Sequence, residues 1–193
     1  RIRPFGLYER EAVMTNDQRR AVITGMGVVS PLGNSVEEYW SSLVSGRSGV
    51  GPITLCDATP FPCQVAGEVN GFDPAQYMEV KDAKRMARFS QLAVAAARLA
   101  IEDSGLETAK TDRERMGVVI GNGNGGFPTM EENTRVLLER GGMKVSPYFI
   151  PMVLPNMAAA NVSRIFGLKG YSSTIVTACA AGTQGVGEAA EVI

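Results

Sequence analysis

The 193-residue chain contains no histidine at all. That absence removes Cys–His and Ser–His pairs, and every zinc site built on imidazole, as options within the chain. Cysteine is scarce as well, at three residues. An odd count with no secretory signal points to a reducing compartment and away from a disulfide framework, so a cytoplasmic location is expected. No apolar run reaches the roughly 20 residues needed to span a bilayer, and the chain is expected to be soluble with no membrane partner. An excess of either charge is missing too, because 19 basic residues against 20 acidic ones leave a net charge of -1. Nothing in that balance argues for nucleic acid or a membrane surface. Tandem repeats and low-complexity tracts are also absent.

What is present is an ordinary globular composition, 45% apolar and 20% charged. It suffices for one sizeable core or one and a half domains. Arg1 to Val13 mixes charged and apolar residues and does not read as a secretory signal. Met14 reads as a natural start, the preceding stretch being a cloning remnant or an upstream extension. Residues 1–18 are expected to form a disordered N-terminal extension, and 19–193 a folded domain.

Within that domain, Arg20 to Ser30 reads as a buried strand followed by the turn Pro31-Leu32-Gly33-Asn34. Asn34 or Ser35 can cap a helix over Val36 to Ser45, with Glu37 and Glu38 near its positive end and Gly46 as its stop. Gly, Ser and Pro dominate from Gly46 to Pro52. Ile53 to Val69 reads as a proline-broken loop with a short strand at Gln64 to Val69. Apolar residues recur at helical spacing from Lys84 to Ser104, and Gly105 ends that helix. Met116 to Gly121 is a second buried strand, leading through Asn122-Gly123-Asn124-Gly125-Gly126 into a helix from about Pro128 to Arg140. From Tyr148 a loop carrying Pro151 feeds a helix starting near Pro155. A third strand is expected at Ser172 to Thr177, and the final residues are helix material with no stop signal, as if cut mid-helix. The β-α-β-α-β alternation is that of a layered α/β protein.

The third strand runs straight into Ala178-Cys179-Ala180-Ala181-Gly182, which places the Cys179 thiol at a strand-to-helix elbow. The free amides and partial positive charge of a helix N-terminus favour a thiolate and stabilise a developing oxyanion. Small neighbours leave room for a substrate. On pattern alone, two readings stand: a nucleophile, or a buried small hydrophobe between packed elements. The buried reading is the stronger one for Cys56 and Cys63, which have six residues between them, no histidine nearby and no metal spacing.

Val176-Thr177-Ala178-Cys179-Ala180-Ala181-Gly182 resembles the active-site cysteine motif of the β-ketoacyl-acyl carrier protein synthases. Arg20-Ala-Val-Ile-Thr-Gly-Met-Gly-Val-Val-Ser-Pro-Leu-Gly33, Gly46-Arg-Ser-Gly49, Lys84-Arg-Met-Ala-Arg-Phe-Ser90 and Val145-Ser-Pro-Tyr-Phe-Ile-Pro151 resemble the type II elongation enzymes of that family, in the same order. The resemblance implies a thiolase-like layered α/β fold of two similar halves, homodimeric when complete, of which this chain is the N-terminal half. It implies an acyltransferase of fatty-acid elongation, in which Cys179 takes an acyl group from acyl carrier protein. Malonyl-loaded carrier protein then loses carbon dioxide and its carbanion attacks the acyl-enzyme. Two histidines, a lysine and a glycine-rich oxyanion loop belong to the other half of that family's fold. The backbone amide of Cys179 is the oxyanion donor carried over here. No metal and no redox cofactor are implied. A polyketide-type condensing enzyme uses the same chemistry, and a non-catalytic condensing-enzyme-like subunit shares the fold but usually replaces the nucleophile.

The glycine-rich run after the second strand lacks the Walker Lys-Ser/Thr and the full dinucleotide spacing, so nucleotide binding is not indicated. In the resembled family this run borders the acyl pocket. Asn124 stands where elongation enzymes often carry an apolar residue, which leaves acyl chain length unassigned. Phe149 and Ile150 match pocket-lining residues near the dimer interface, with ordinary packing as the alternative. Lys81, Lys84, Arg85 and Arg88 form a basic cluster suited to an acidic carrier protein, or else a solvated helix face.

Overall fold

The computed structural model describes residues 20–193. The expected disordered extension over 1–18 and the start at Met14 lie outside the described residues.

Helix α1 (Val36–Val44) begins at Ser35, whose hydroxyl accepts the Glu38 amide, while the Glu38 carboxylate accepts the Asn34 amide. Reciprocal capping of this kind satisfies donors that a helix start leaves open. Next comes a hairpin of β1 (Val50–Pro52) and β2 (Val65–Gly67), paired antiparallel. β1 was not expected in a stretch read as Gly, Ser and Pro; its pairing is made by β2 across a long loop, which local composition does not encode. That loop is stapled from within. The Glu68 carboxylate accepts the Thr54 hydroxyl and the Thr54 and Leu55 amides, and the Gln64 amide donates to the carbonyls of Ala58 and Phe61.

A one-turn helix α2 (Val80–Ala83) precedes α3 (Arg88–Asp103). The periodic run from Lys84 is therefore broken. Ala87 is extended (ψ 159°), and burial of Met86 and Ala87 draws the connecting turn inward. After strand β3 (Val118–Gly121) come α4 (Phe127–Arg140), α5 (Phe149–Val153) and α6 (Met157–Phe166). The loop expected around Pro151 holds the short α5 instead. Pro151 is its third residue, where a missing N–H costs no intrahelical bond. Strand β4 (Ser172–Ile175), two residues shorter than expected, leads to a 3₁₀ turn (Ala178–Ala180) and α7 (Ala181–Val192).

β3 and β4 pair in parallel, with Val118 opposite Ser172 and Gly121 opposite Ile175. Side chains alternate across a strand, so Val118 joins the core with α3 and α6 while Val119 and Gly121 face α7. The core centres on Met78, Ala83, Met86, Val94 and Val162. Fully burying a valine of this kind is worth about 1.5–3 kcal/mol. The result is helix layers on either side of a parallel strand pair.

The strand expected at Arg20 to Ser30 is not formed. Residues 20–29 are irregular, and only Ser30 bridges back to Gly33. A strand exists only by pairing, and among the described residues no strand takes this segment as its neighbour. It packs on a helix instead. β-carbons on Gly25 and Gly27 would fall 2.4 Å and 2.1 Å from carbonyl oxygens of α3, and the Met26 amide donates to Asp103 at 2.8 Å. Val22 and Ile23 consequently stand 74% and 79% exposed rather than buried.

Candidate active site

Parallel pairing brings the ends of β3 and β4 to one edge, and the two chain segments that leave there hold the candidate site residues Cys179 and Asn124. The edge beyond the carboxyl ends of parallel strands is where α/β folds place their chemistry. From β4 the chain turns through Val176, Thr177 and the Ala178–Ala180 turn into α7, with Cys179 in the turn. From β3 it runs into the glycine-rich loop Asn122 to Gly126.

The Cys179 elbow is built by close contacts beneath it. Gly121 ends β3 against the first turn of α7, where its missing β-carbon would lie 2.1 Å from the Ala181 carbonyl oxygen. Gly185, one turn on, meets Gly121 from the other side, and its own β-carbon would fall 3.0 Å from the Gly121 nitrogen. Only glycine permits this approach. The Ala180 amide donates to the Thr177 carbonyl at 3.1 Å to close the turn. Ala178 adopts φ +50°, the sole non-glycine left-handed residue among those described.

Cys179 is exposed, as is every residue from Val176 to Ala180. The buried-hydrophobe reading of this thiol is thereby excluded in the chain as it stands. Cys56 and Cys63 are exposed too, contrary to their expected burial, because the stapled loop carries them outward; the Cys63 thiol donates to the Val65 carbonyl. Among the described residues no cluster of His, Cys, Asp or Glu could hold a metal ion.

Asn122 ties the glycine loop into place, a role with no signal in the sequence beyond an Asn after a strand. Its amide N–H donates to the Ile175 carbonyl at 2.9 Å, its side chain donates to the Pro155 carbonyl at 3.0 Å, and its side-chain oxygen accepts the Asn124 amide. Asn124 itself is exposed. The loop then packs on α5: Gly125 (φ +107°) would put a β-carbon 2.6 Å from the Val153 carbonyl oxygen, and the Gly126 amide donates to that carbonyl. Phe149 and Ile150 open α5, the first half-buried and the second 56% exposed. Asn122 thus joins the glycine loop to β4 and to the start of α6, while Val153 joins it to α5.

The basic cluster divides in two. Lys81 and Lys84 are exposed. Arg85 stacks over the Tyr148 ring at 5.0 Å, linking α3's approach to the residue that caps α5. Arg88 is committed inward, donating to the Val69 carbonyl at 2.8 Å and lying over the Phe72 ring at 5.3 Å.

Residues 18–193 match the family described as the N-terminal domain of β-ketoacyl synthases. The chain is 50% identical to 3-oxoacyl-[acyl-carrier-protein] synthase 2 of Coxiella burnetii over 177 residues, which is 92% of this chain and 43% of that protein. Among solved structures it resembles the ishigamide ketosynthase/chain length factor (TM-score 0.80, 32% identity, 90% of this chain and 45% of that one). It also resembles a type II PKS ketosynthase solved with its acyl-carrier protein and bound to the hexaketide (TM-score 0.76, 28% identity, 91% and 47%). The chain spans less than half the length of these relatives. With its thiolase-like α/β layering and its Cys179 elbow, it belongs to the β-ketoacyl synthase family and corresponds to that family's N-terminal domain.

Proposed function

We propose that this chain supplies the acyl-accepting part of a fatty-acid elongation enzyme, with Cys179 as the nucleophile. The observation that carries the reading is an exposed thiol at the turn into α7, at the carboxyl edge of the parallel pair. The Cys179 sulfur attacks the thioester carbonyl of an acyl carrier protein, the carrier thiol leaves with the proton, and the acyl group remains on Cys179. Malonyl-carrier protein then loses carbon dioxide, its carbanion attacks the acyl-enzyme carbonyl, and the Cys179 thiolate is released with a β-ketoacyl-carrier protein. The backbone amide of Cys179, at the start of the α7 turn, serves as one oxyanion donor. Decarboxylation needs the two histidines and the lysine of the family's other half; this chain holds no histidine. The complete enzyme is a cytoplasmic homodimer without metal or redox cofactor.

Asn124, Phe149 and Ile150 border the acyl chain in this reading, and Lys81, Lys84 and Arg85 face the acidic carrier protein. Support for a carrier partner comes from the relative solved with its acyl-carrier protein. That same relative favours a second reading, polyketide-type condensation, in which the elbow acts identically on a different acyl chain. A non-catalytic subunit is disfavoured by the presence of Cys179.

Intact mass of the full-length protein after exposure to acyl-carrier protein tests the proposal. An acyl adduct that disappears in Cys179→Ala supports it, and an adduct that survives the substitution refutes it. Parallel reactions with fatty acyl and polyketide-type thioesters separate the two condensing readings.

A further inference from the structure

Two side chains on either side of Cys179 bond to each other rather than to its sulfur. The Thr177 hydroxyl donates to the Gln184 side-chain oxygen at 2.9 Å. This bond ties the residue entering the turn to the fourth residue of α7, across the span that contains Cys179. Inside that span lies Ala178 at φ +50°. A left-handed alanine persists only where its surroundings over-determine it. Three restraints act on this turn: the Ala180 amide on the Thr177 carbonyl, the Gly121 contact beneath Ala181, and the Thr177–Gln184 bond above. Thr177 and Gln184 are both exposed, so their bond satisfies no buried polar group and adds little to folding. Its effect is directional.

We propose that Thr177 and Gln184 are positioning residues, whose hydrogen bond holds the Ala178 turn and aims the Cys179 thiol at an incoming thioester. This rests on the acyl-accepting role proposed for Cys179. Acyl transfer needs sulfur and carbonyl carbon aligned at near-contact distance, and a displacement of about 1 Å can slow such a step roughly a hundredfold. A small alkylating reagent that approaches freely from solvent makes no such demand.

The test compares two rates at Cys179 in the full-length protein: acylation by acyl-carrier protein and alkylation by iodoacetamide. Thr177→Val and Gln184→Leu are each expected to slow acylation roughly tenfold to a hundredfold, with alkylation changed by no more than about twofold. Thr177→Ser should restore acylation, and the double variant should be no slower than the slower single one, since both remove the same bond. Acylation at the wild-type rate in both single variants overturns the proposal. So does equal slowing of the two reactions, or a double variant whose loss is the product of the singles. If Thr177→Val does not fold, Gln184→Leu with its melting curve decides alone. A wild-type protein that takes no acyl group brings down the functional reading together with this one, whereas a loaded wild type with equally fast variants removes only the positioning role.

Discussion

Gly121 and Ala181 are in backbone contact: a β-carbon added to Gly121 would fall 2.1 Å from the Ala181 carbonyl oxygen. The end of one strand is thereby pressed against the first turn of the helix that carries the thiol elbow. The position of Cys179 is set from below by this contact, independently of any side chain that reacts.

Gly121→Ala is expected to destabilise the protein by about 2–3 kcal/mol, because the atom it would strike is backbone and the strand or helix must move. Gly187→Ala is the control. It lies within α7 with nothing within 4 Å of its β-carbon position, and it should stabilise by about 0.5–1 kcal/mol through helix propensity. Urea denaturation of both variants measures the contrast. Equal effects would show that the close approach at Gly121 does not constrain the fold.

Lys84 and Arg88 should separate by assay. Lys84→Glu leaves the melting temperature unchanged and weakens carrier-protein binding roughly threefold to tenfold at low salt, with the difference shrinking as salt rises. Arg88→Ala instead lowers stability by about 1–2 kcal/mol, since it removes a bond to the Val69 carbonyl and a cation–π contact with Phe72. Arg88→Lys recovers little, lacking the planar fork. Binding titrations at two salt concentrations, together with thermal melts, check both.

Glu68 makes the 54–68 loop sensitive to acid. The Thr54 hydroxyl, followed by the Thr54 and Leu55 amides, holds its carboxyl below the ordinary value of 4.5. A carboxylate depressed in the folded state contributes stability that is fully present above its unfolded value and is lost as pH falls through the folded one. Asp57, lowered by the Thr59 hydroxyl and amide, acts in the same direction. Protection of the Thr54 and Leu55 amides from hydrogen exchange should therefore be intact at neutral pH and be lost only as pH falls below the ordinary carboxylate value of 4.5. In Glu68→Gln it should be reduced at every pH. Protection that is unchanged across this range would mean that the carboxylate does not hold the loop.

The isolated chain is expected to yield no β-ketoacyl product from acyl- and malonyl-carrier protein, for want of the family's histidines. It should also self-associate, because Val22, Ile23 and Val186 line an exposed apolar groove of about 450 Å³ along α7. Product analysis and light scattering check the two statements. Detectable product would show that decarboxylation needs nothing beyond these residues.

Much of this protein was written locally. Ser35 with Glu38 set the start of α1, Gly105 the end of α3 and Gly141 the end of α4, because caps and stops act over three or four residues. The elbow was legible for the same reason: a β-branched strand followed at once by small helix-forming residues can place Cys179 only at the turn between them.

What required the tertiary structure was everything that depends on a distant partner. Arg20 to Ser30 has the composition of a strand, yet pairing needs a neighbour and the glycines found α3 instead. β1 exists because β2 returns to it, Arg88 was turned inward by Val69 and Phe72, and the exposure of all three cysteines followed from packing around them. The sequence by itself determined the elbow that carries Cys179 and the helix behind it, since both arise from contiguous residues. The folded chain decided how that thiol is held, through Gly121, Asn122 and the Thr177–Gln184 bond, because those contacts join segments that sequence order keeps apart.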